Sequence, residues 1–346
     1  MFQTSPKEPA AAAEEIGLRY VSDEAAGIRR AGKSGHFRYI GLQNKVISDA
    51  RTLARIRRLS IPPAWTDVWI APSANAHLQA TGRDAKGRKQ YRYHPDFVAI
   101  RDRAKYDHLL EFANGLAVLR KQLRRDLRRP GLPREKVIAA IVTLLEETLI
   151  RVGNEDYARA NGSFGLTTLR NRHVRVRGQT LTFEFKGKSG RKWNLSLHNR
   201  RVAKVVASCQ ELPGQHLFEY RDEDGGVQTI SSTDVNAYLR AISGRDITAK
   251  DFRTWAGTVK AAIGLSEISE APSKRLVRSV VAVVAEQLGN TVAICRRCYI
   301  HPAIVTAFEA GTLRLRYAKR SRSGLSVQEL AVLAFLRHAQ PDRRAN

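Results

Sequence analysis

The chain of 346 residues carries 59 Lys and Arg against 33 Asp and Glu, a formal net charge of +26, and 43% of it is hydrophobic. That length suits two or three domains, and the apolar share excludes a disordered basic tail. A foldable chain this cationic calls for a polyanionic partner, nucleic acid before any other. No stretch of about 18 apolar residues is present to span a membrane. Residues 1–17 lack the basic and apolar regions of a signal peptide. Three cysteines, an odd number, argue against a disulfide framework and for a reducing cytoplasm.

Residues 1–19 open Pro- and Ala-rich without periodicity and read as a disordered leader. Residues 20–96 read as a small β-rich domain. Phe37–Ile40 and Val68–Ala71 are predicted strands, and Ser48–Ile56 a short helix. The segment TGRDAKGRKQYRYHP places a Gly-rich basic turn before the alternating aromatics Tyr91 and Tyr93.

After His94-Pro95 the pattern becomes helical. Leu116, Leu119, Leu123 and Leu127 recur at helical spacing, while Arg120, Lys121, Arg124, Arg125, Arg128 and Arg129 fill the other faces. Such a surface suits solvent or phosphate. A strongly apolar helix is predicted over Arg134–Val152, stopped by Gly153, with Arg151 in its last turn. Then His173–Arg177, Leu181–Lys186 and Trp193–Leu197 form a three-stranded antiparallel meander with its second turn, around Lys188, exposed. The remainder is helical. Thr248 with Asp251, and Ser326 with Glu329, mark helix starts, and Gly244 and Gly289 mark stops. The fold class is α+β: the small N-terminal β-rich domain, then a mostly α-helical domain over residues 97–346 that carries one small sheet.

No metal and no cofactor is expected. Cys295-Arg-Arg-Cys298 with His301 nearby lacks the second ligand pair of a structural zinc site. GRDAKGRKQ lacks the spacing and flanks of a phosphate loop, so ATP has no support either. What remains is a scattered set of cations and one tyrosine. Singly, Arg151 reads as a charge complementing a helix dipole, Lys188 as a turn lysine, Arg253 as a helix-surface arginine, and Tyr299 as a residue ahead of a helix-starting proline.

Together and in this order, they resemble the catalytic constellation of the type IB DNA topoisomerases, in the compact poxvirus-like and bacterial branch, over nearly the whole chain. Arg151-Val-Gly-Asn-Glu-Asp-Tyr157 and Asn161–Leu169 resemble the block around that family's first arginine. Phe185-Lys-Gly-Lys188 resembles its lysine hairpin, and Lys250-Asp-Phe-Arg253-Thr-Trp its second arginine block. Leu288-Gly-Asn290-Thr and Cys298-Tyr299 resemble its last block. Many members carry His where this chain has Asn290, whose amide can bond a phosphate oxygen but cannot act as acid or base. Lys86–Tyr93 resembles the segment that lays Gln and Tyr side chains into the major groove, here Gln90, Tyr91 and Tyr93.

The resemblance implies a residue-by-residue chemistry. Tyr299 attacks a phosphodiester and stores its energy as a phosphotyrosyl bond. Arg151, Arg253 and Asn290 clamp the non-bridging oxygens. Lys188 protonates the leaving 5′-oxygen, Lys250 assists, and Tyr157 joins Gln90, Tyr91 and Tyr93 in holding DNA. The implied protein is a bacterial, monomeric enzyme in the cytoplasm, associated with the nucleoid. It relaxes positive and negative supercoils in double-stranded DNA through a 3′-phosphotyrosyl intermediate, without ATP or metal. The rival readings are a site-specific tyrosine recombinase or integrase and a non-enzymatic architectural DNA-binding protein.

Overall fold

The computed structural model describes residues 9–339 and divides into two compact units, Met1–Asp107 and His108–Asn346. The boundary falls about ten residues later than the sequence suggests, inside a helix that starts at Pro95.

Residues 1–8 of the expected leader lie outside the described residues. From Pro9 the chain departs from that expectation. Helix α1 (Pro9–Glu14) forms on an alanine run, the strongest helix former, and Ala13 and Leu18 are buried with Phe97. Strand β1 (Ile28–Ala31) has no counterpart among the predicted strands, because Ile-Arg-Arg-Ala does not alternate. β2 (Arg38–Ile40) follows, then α2 (Ala50–Arg58), whose cap Asp49 accepts from the Arg51 and Thr52 amides. β3 (Thr66–Ile70), β4 (Leu78–Arg83) and β5 (Lys89–Tyr93) complete an antiparallel five-stranded sheet of order β2-β1-β3-β4-β5. Ile56 of α2 is buried against Ile28, Val68, Ile70 and Ala80 of that sheet.

Helix α3 (Pro95–Asp126) buries Phe112, Leu116, Leu119 and Leu123. Leu127, Arg128 and Arg129 lie beyond its end. Helix α4 (Arg134–Thr148) is buried almost throughout and ends earlier than predicted. Leu149 adopts the left-handed conformation (φ 58°), and its amide bonds the Leu145 carbonyl. Arg151 is therefore not in a helix: the helix has turned off before it. Helix α5 (Glu155–Asn161) is capped by Asn154. The predicted meander is present as β6 (Val174–Arg177), β7 (Thr180–Lys186) and β8 (Lys192–His198) in sequential antiparallel order. Phe183 and Leu181 on β7 alternate inward.

Helix α6 (Arg200–Gln210) leads to a two-stranded hairpin, β9 (Glu219–Arg221) and β10 (Val227–Thr229), too short to register as sequence periodicity. Helix α7 (Ser232–Ser243) stops at Gly244, and α8 (Ala249–Ser266) starts at the Thr248–Asp251 box. Helix α9 (Lys274–Leu288) stops at Gly289. α10 (Val292–Tyr299), α11 (Pro302–Glu309) and α12 (Val327–Ala339) follow. Ser326 and Glu329 cap the start of α12 reciprocally. The α+β class and the order of sheet and helices agree with the sequence reading. Among the described residues, no single helix is long and apolar enough to cross a membrane.

Candidate active site

A cavity of about 390 Å³ in the second unit is lined by Arg151, Tyr157, Lys188, Lys250, Arg253 and Tyr299, among others. Residues far apart in sequence reach it for separable local reasons.

Arg151 sits on an extended segment. Its carbonyl accepts from the Leu166 amide at 2.8 Å, and the Val152 carbonyl accepts from Thr167 at 2.6 Å. Gly153 holds φ +113°, a conformation that L side chains rarely adopt. Opposite it, a Cβ on Gly165 would stand 2.6 Å from the Arg151 carbonyl oxygen. Both glycines of this block thus allow two backbones to touch. The Arg151 guanidinium donates to the Gly289 carbonyl at 3.1 Å and to the Asn290 side-chain oxygen. Burial pulls the Arg151 guanidinium below its ordinary value, against the attraction of Tyr299.

Asn290 follows the left-handed Gly289, and its amide bonds the Ala285 carbonyl at 2.9 Å. Its side-chain oxygen is taken by Arg151, while its buried side-chain nitrogen has no partner among the described residues. Asn290 is behind the first arginine rather than on the cavity wall.

Arg253, on the first turns of α8, is 3% exposed and is not a surface arginine. It donates to the Leu149 carbonyl and, at 2.6 Å, to the Leu288 carbonyl. The left-handed turn that ends α4 frees the first acceptor and the end of α9 supplies the second. Burial above all, then the charge of Arg151, pulls Arg253 down to about 10, so it remains a cation at neutral pH. Its guanidinium carbon lies 5.2 Å from the Tyr299 ring centroid.

Lys188 rides a single exposed 3₁₀ turn between β7 and β8, with its ammonium 5.6 Å from the Tyr157 ring centroid. The meander is tied to the arginine block by the Phe164 amide, which bonds the Lys186 carbonyl at 2.8 Å. Arg191, which the sequence reading does not single out, depresses Arg151 through its charge and donates to the Glu286 carbonyl. Nothing in its sequence neighbourhood distinguishes it from the other hairpin cations.

Cys295 is buried and its thiol is pushed up to about 11, mainly by burial, which disfavours the thiolate a metal needs. Among the described residues, no group of three or more His, Cys, Asp or Glu is placed to hold a metal ion.

The remaining sequence candidates belong to the first unit, on β5. Tyr91 is 45% exposed and stacks on Tyr93 with ring centroids 5.9 Å apart. Tyr93 also packs against Phe97, and Gln90 donates to Asp84 at 3.0 Å across the hairpin turn.

Comparison with known proteins adds sequence relationships to this geometry. Residues 89–321 match the family described as eukaryotic DNA topoisomerase I, catalytic core. Residues 36–84 match the N-terminal domain of bacterial DNA topoisomerase IB. The chain is 32% identical over 285 residues to DNA topoisomerase 1B of Acanthamoeba polyphaga mimivirus, covering 79% of this chain and 85% of that protein. It is 24% identical over 275 residues to DNA topoisomerase 1B of vaccinia virus (strain Copenhagen), covering 76% and 83%. DNA topoisomerase 1 of Mycosarcoma maydis is 27% identical over 185 residues, 47% of this chain and 18% of that protein.

Proposed function

The chain belongs to the type IB DNA topoisomerase family and is an enzyme acting on DNA, and we propose that it relaxes duplex DNA by transesterification at Tyr299. The observation that carries this reading is the convergence of Arg151, Arg253 and Lys188 on one cavity with that phenol.

Free tyrosine, with a pKa of about 10, is a poor nucleophile at neutral pH, so the phosphate must be made electrophilic. Two guanidiniums do so by binding the non-bridging oxygens and stabilising the charge of the pentacoordinate transition state. The backbone carbonyls that hold Arg253 and Arg151 fix both cations before substrate arrives, which lowers the reorganisation needed during reaction. Asn290 joins the clamp through Arg151, whose guanidinium donates to its side-chain oxygen. The Tyr299 oxygen forms its bond to phosphorus as the bond to the 5′-oxygen breaks. Lys188 delivers a proton to that departing oxygen, and the phenolic proton passes to solvent. The enzyme is left on the 3′ phosphate, the free 5′-hydroxyl strand rotates, and the reverse reaction reseals it. No high-energy cofactor enters, since the phosphotyrosyl bond conserves the phosphodiester's energy.

Lys250, on the cavity wall, assists phosphate binding or proton transfer. On the first unit, the exposed face of Tyr91, with Gln90 and Tyr93, contacts the duplex. The enzyme works as a monomer. Relaxation of positively and negatively supercoiled plasmid in excess EDTA without ATP tests the reading. Tyr299→Phe should abolish both relaxation and covalent adduct while retaining duplex binding. An absolute requirement for magnesium, or an adduct formed by the Phe variant, overturns it.

A further inference from the structure

α8 does more than carry Arg253. One turn further along, Gly257 lies directly against the main chain of Tyr299: a Cβ there would stand 2.5 Å from the Tyr299 carbonyl oxygen and 3.2 Å from its Cβ. The next residue, Thr258, is fully buried. Its hydroxyl donates to the Tyr299 carbonyl at 3.4 Å and accepts from the His301 amide at 3.1 Å.

These contacts meet a specific local deficit. Tyr299 is the last residue of α10, so its carbonyl has no continuing helix to bond. Four residues on, the Ala303 amide bonds the His301 ring nitrogen at 3.1 Å instead. Ile300 is extended (φ −123°, ψ 128°), and Pro302 starts α11. The Thr258 hydroxyl thus bonds the main chain at both ends of the break after Tyr299.

We propose that Thr258 is a positioning residue for the nucleophile, its hydroxyl clasping the main chain on both sides of Ile300 so that the Tyr299 ring stays under Arg253. The inference rests on the reading of Tyr299 as the nucleophile. A break between two helices can pivot, and pivoting swings a phenol by ångströms. A misplacement of about 1 Å at a reacting group costs on the order of 10²-fold in rate. Arg253 and the clasp share one helix, so the electrophilic clamp and the nucleophile's main chain are referenced to the same rigid element. The hydroxyl is also internally satisfied, acting once as donor and once as acceptor, so Val at this position keeps the shape and removes both bonds.

Single-turnover cleavage of a nicked suicide duplex tests this. Thr258→Val should cleave and religate about 10- to 100-fold more slowly, with unchanged noncovalent duplex affinity. Thr258→Ser, which retains the hydroxyl, should recover most of the rate. Folded Gly257→Ala, which pushes on the same carbonyl, should resemble Thr258→Val. Parental cleavage by either folded Thr258→Val or folded Gly257→Ala overturns the proposal, as does a Ser variant as slow as the Val variant. If neither Val nor Ala variant folds, the Ser variant decides alone: near-parental cleavage upholds the role of the hydroxyl and a slow rate overturns it. Tyr299→Phe in the same assay separates the two levels of inference. An adduct formed without the phenol defeats the nucleophile assignment, whereas an inactive Phe variant beside a fully active Val variant defeats only the positioning role.

Discussion

The indole nitrogen of Trp255 donates to a carboxylate oxygen of Glu329 at 3.0 Å, and the guanidinium of Arg120 grips both oxygens of that carboxylate at 2.8 and 2.9 Å. Arg120 reaches Glu146 as well, at 2.6 Å, so α3, α4, α8 and α12 meet at one polar node. Removing Glu329 takes from Trp255 its acceptor and from Arg120 one of its two carboxylates, and breaking a buried pair costs up to about 3–5 kcal/mol. Glu329→Ala is expected to lower unfolding stability by that order in urea titrations. A change below about 1 kcal/mol, the level of an exposed ion pair, would show that the node is solvated.

The same carboxylate gives stability an acid limb. Burial alone would raise Glu329, but the hydrogen bonds from Arg120, the Ser326 amide and Trp255, with the Arg120 charge, hold it below the usual carboxyl range. A group depressed in the folded state stabilises above its unfolded pKa, and that contribution fades as pH falls through the lower folded value. Glu329→Gln should therefore be less stable than the parent at neutral pH, with the gap closing in acid. A gap that stays constant to the acid end refutes this linkage.

His108 acts in the opposite direction. The hydrogen bond to Asp251, and the charges of Asp251, Glu111 and Asp246, raise its imidazole despite burial. A raised folded pKa stabilises below the ordinary imidazole value and is lost as pH climbs through the folded one. Asp251 caps α8, so the protonated imidazole steadies the helix that bears Arg253. His108→Gln should lose stability at about pH 6 but little at about pH 8. Equal loss at both would mean that packing, and not charge, is what His108 contributes.

Lys188 tests the proton path. Lys188→Ala should slow cleavage by about 10²–10⁴-fold, the span for a positioned acid. Loss of an electrostatic ligand costs about 10²–10³-fold, so size alone does not separate the roles. With sulfur in place of the scissile 5′-oxygen, a thiolate leaves unaided and the lysine defect should largely vanish. Arg151→Ala and Arg253→Ala should stay impaired. If sulfur does not restore the lysine variant, the proton comes from elsewhere.

Duplex affinity of the Tyr299→Phe protein should fall by roughly 10³ or more between about 50 and 200 mM salt, provided six or more phosphates are neutralised. A nearly flat salt response in a filter-binding titration would remove the phosphate-tracking role from the net +26 charge.

The meander, the helix starts at Thr248 and Ser326, and the stops at Gly244 and Gly289 were legible because each rests on local chemistry: alternation, reciprocal caps, and left-handed glycines. Where an outcome depended on distant residues, the sequence misled. The apolar pattern of α4 runs on to Val152, yet the helix ends at Thr148 because a non-glycine, Leu149, takes the left-handed position and offers its carbonyl to Arg253, 104 residues away. The short β1 depends on its sheet neighbours, and β9 and β10 on one another. At the site, the residue types that can bear the chemistry were readable from the ordered motifs. The residues that hold them, Thr258, Gly257 and Arg191, look ordinary in one dimension because their meaning lies in what they touch.

The node at Glu329 has a consequence for the timing of synthesis. A ribosome releases Tyr299 and both arginines before it releases Glu329, so a nascent chain already bears every group proposed to cut DNA while Arg120 and Trp255 still lack their shared acceptor. Until α12 docks, Arg120 has only Glu146 for a partner and the Trp255 indole on α8 lacks its acceptor. The helix that bears Arg253 would thus gain its last polar tie only after every group proposed to cut DNA has emerged.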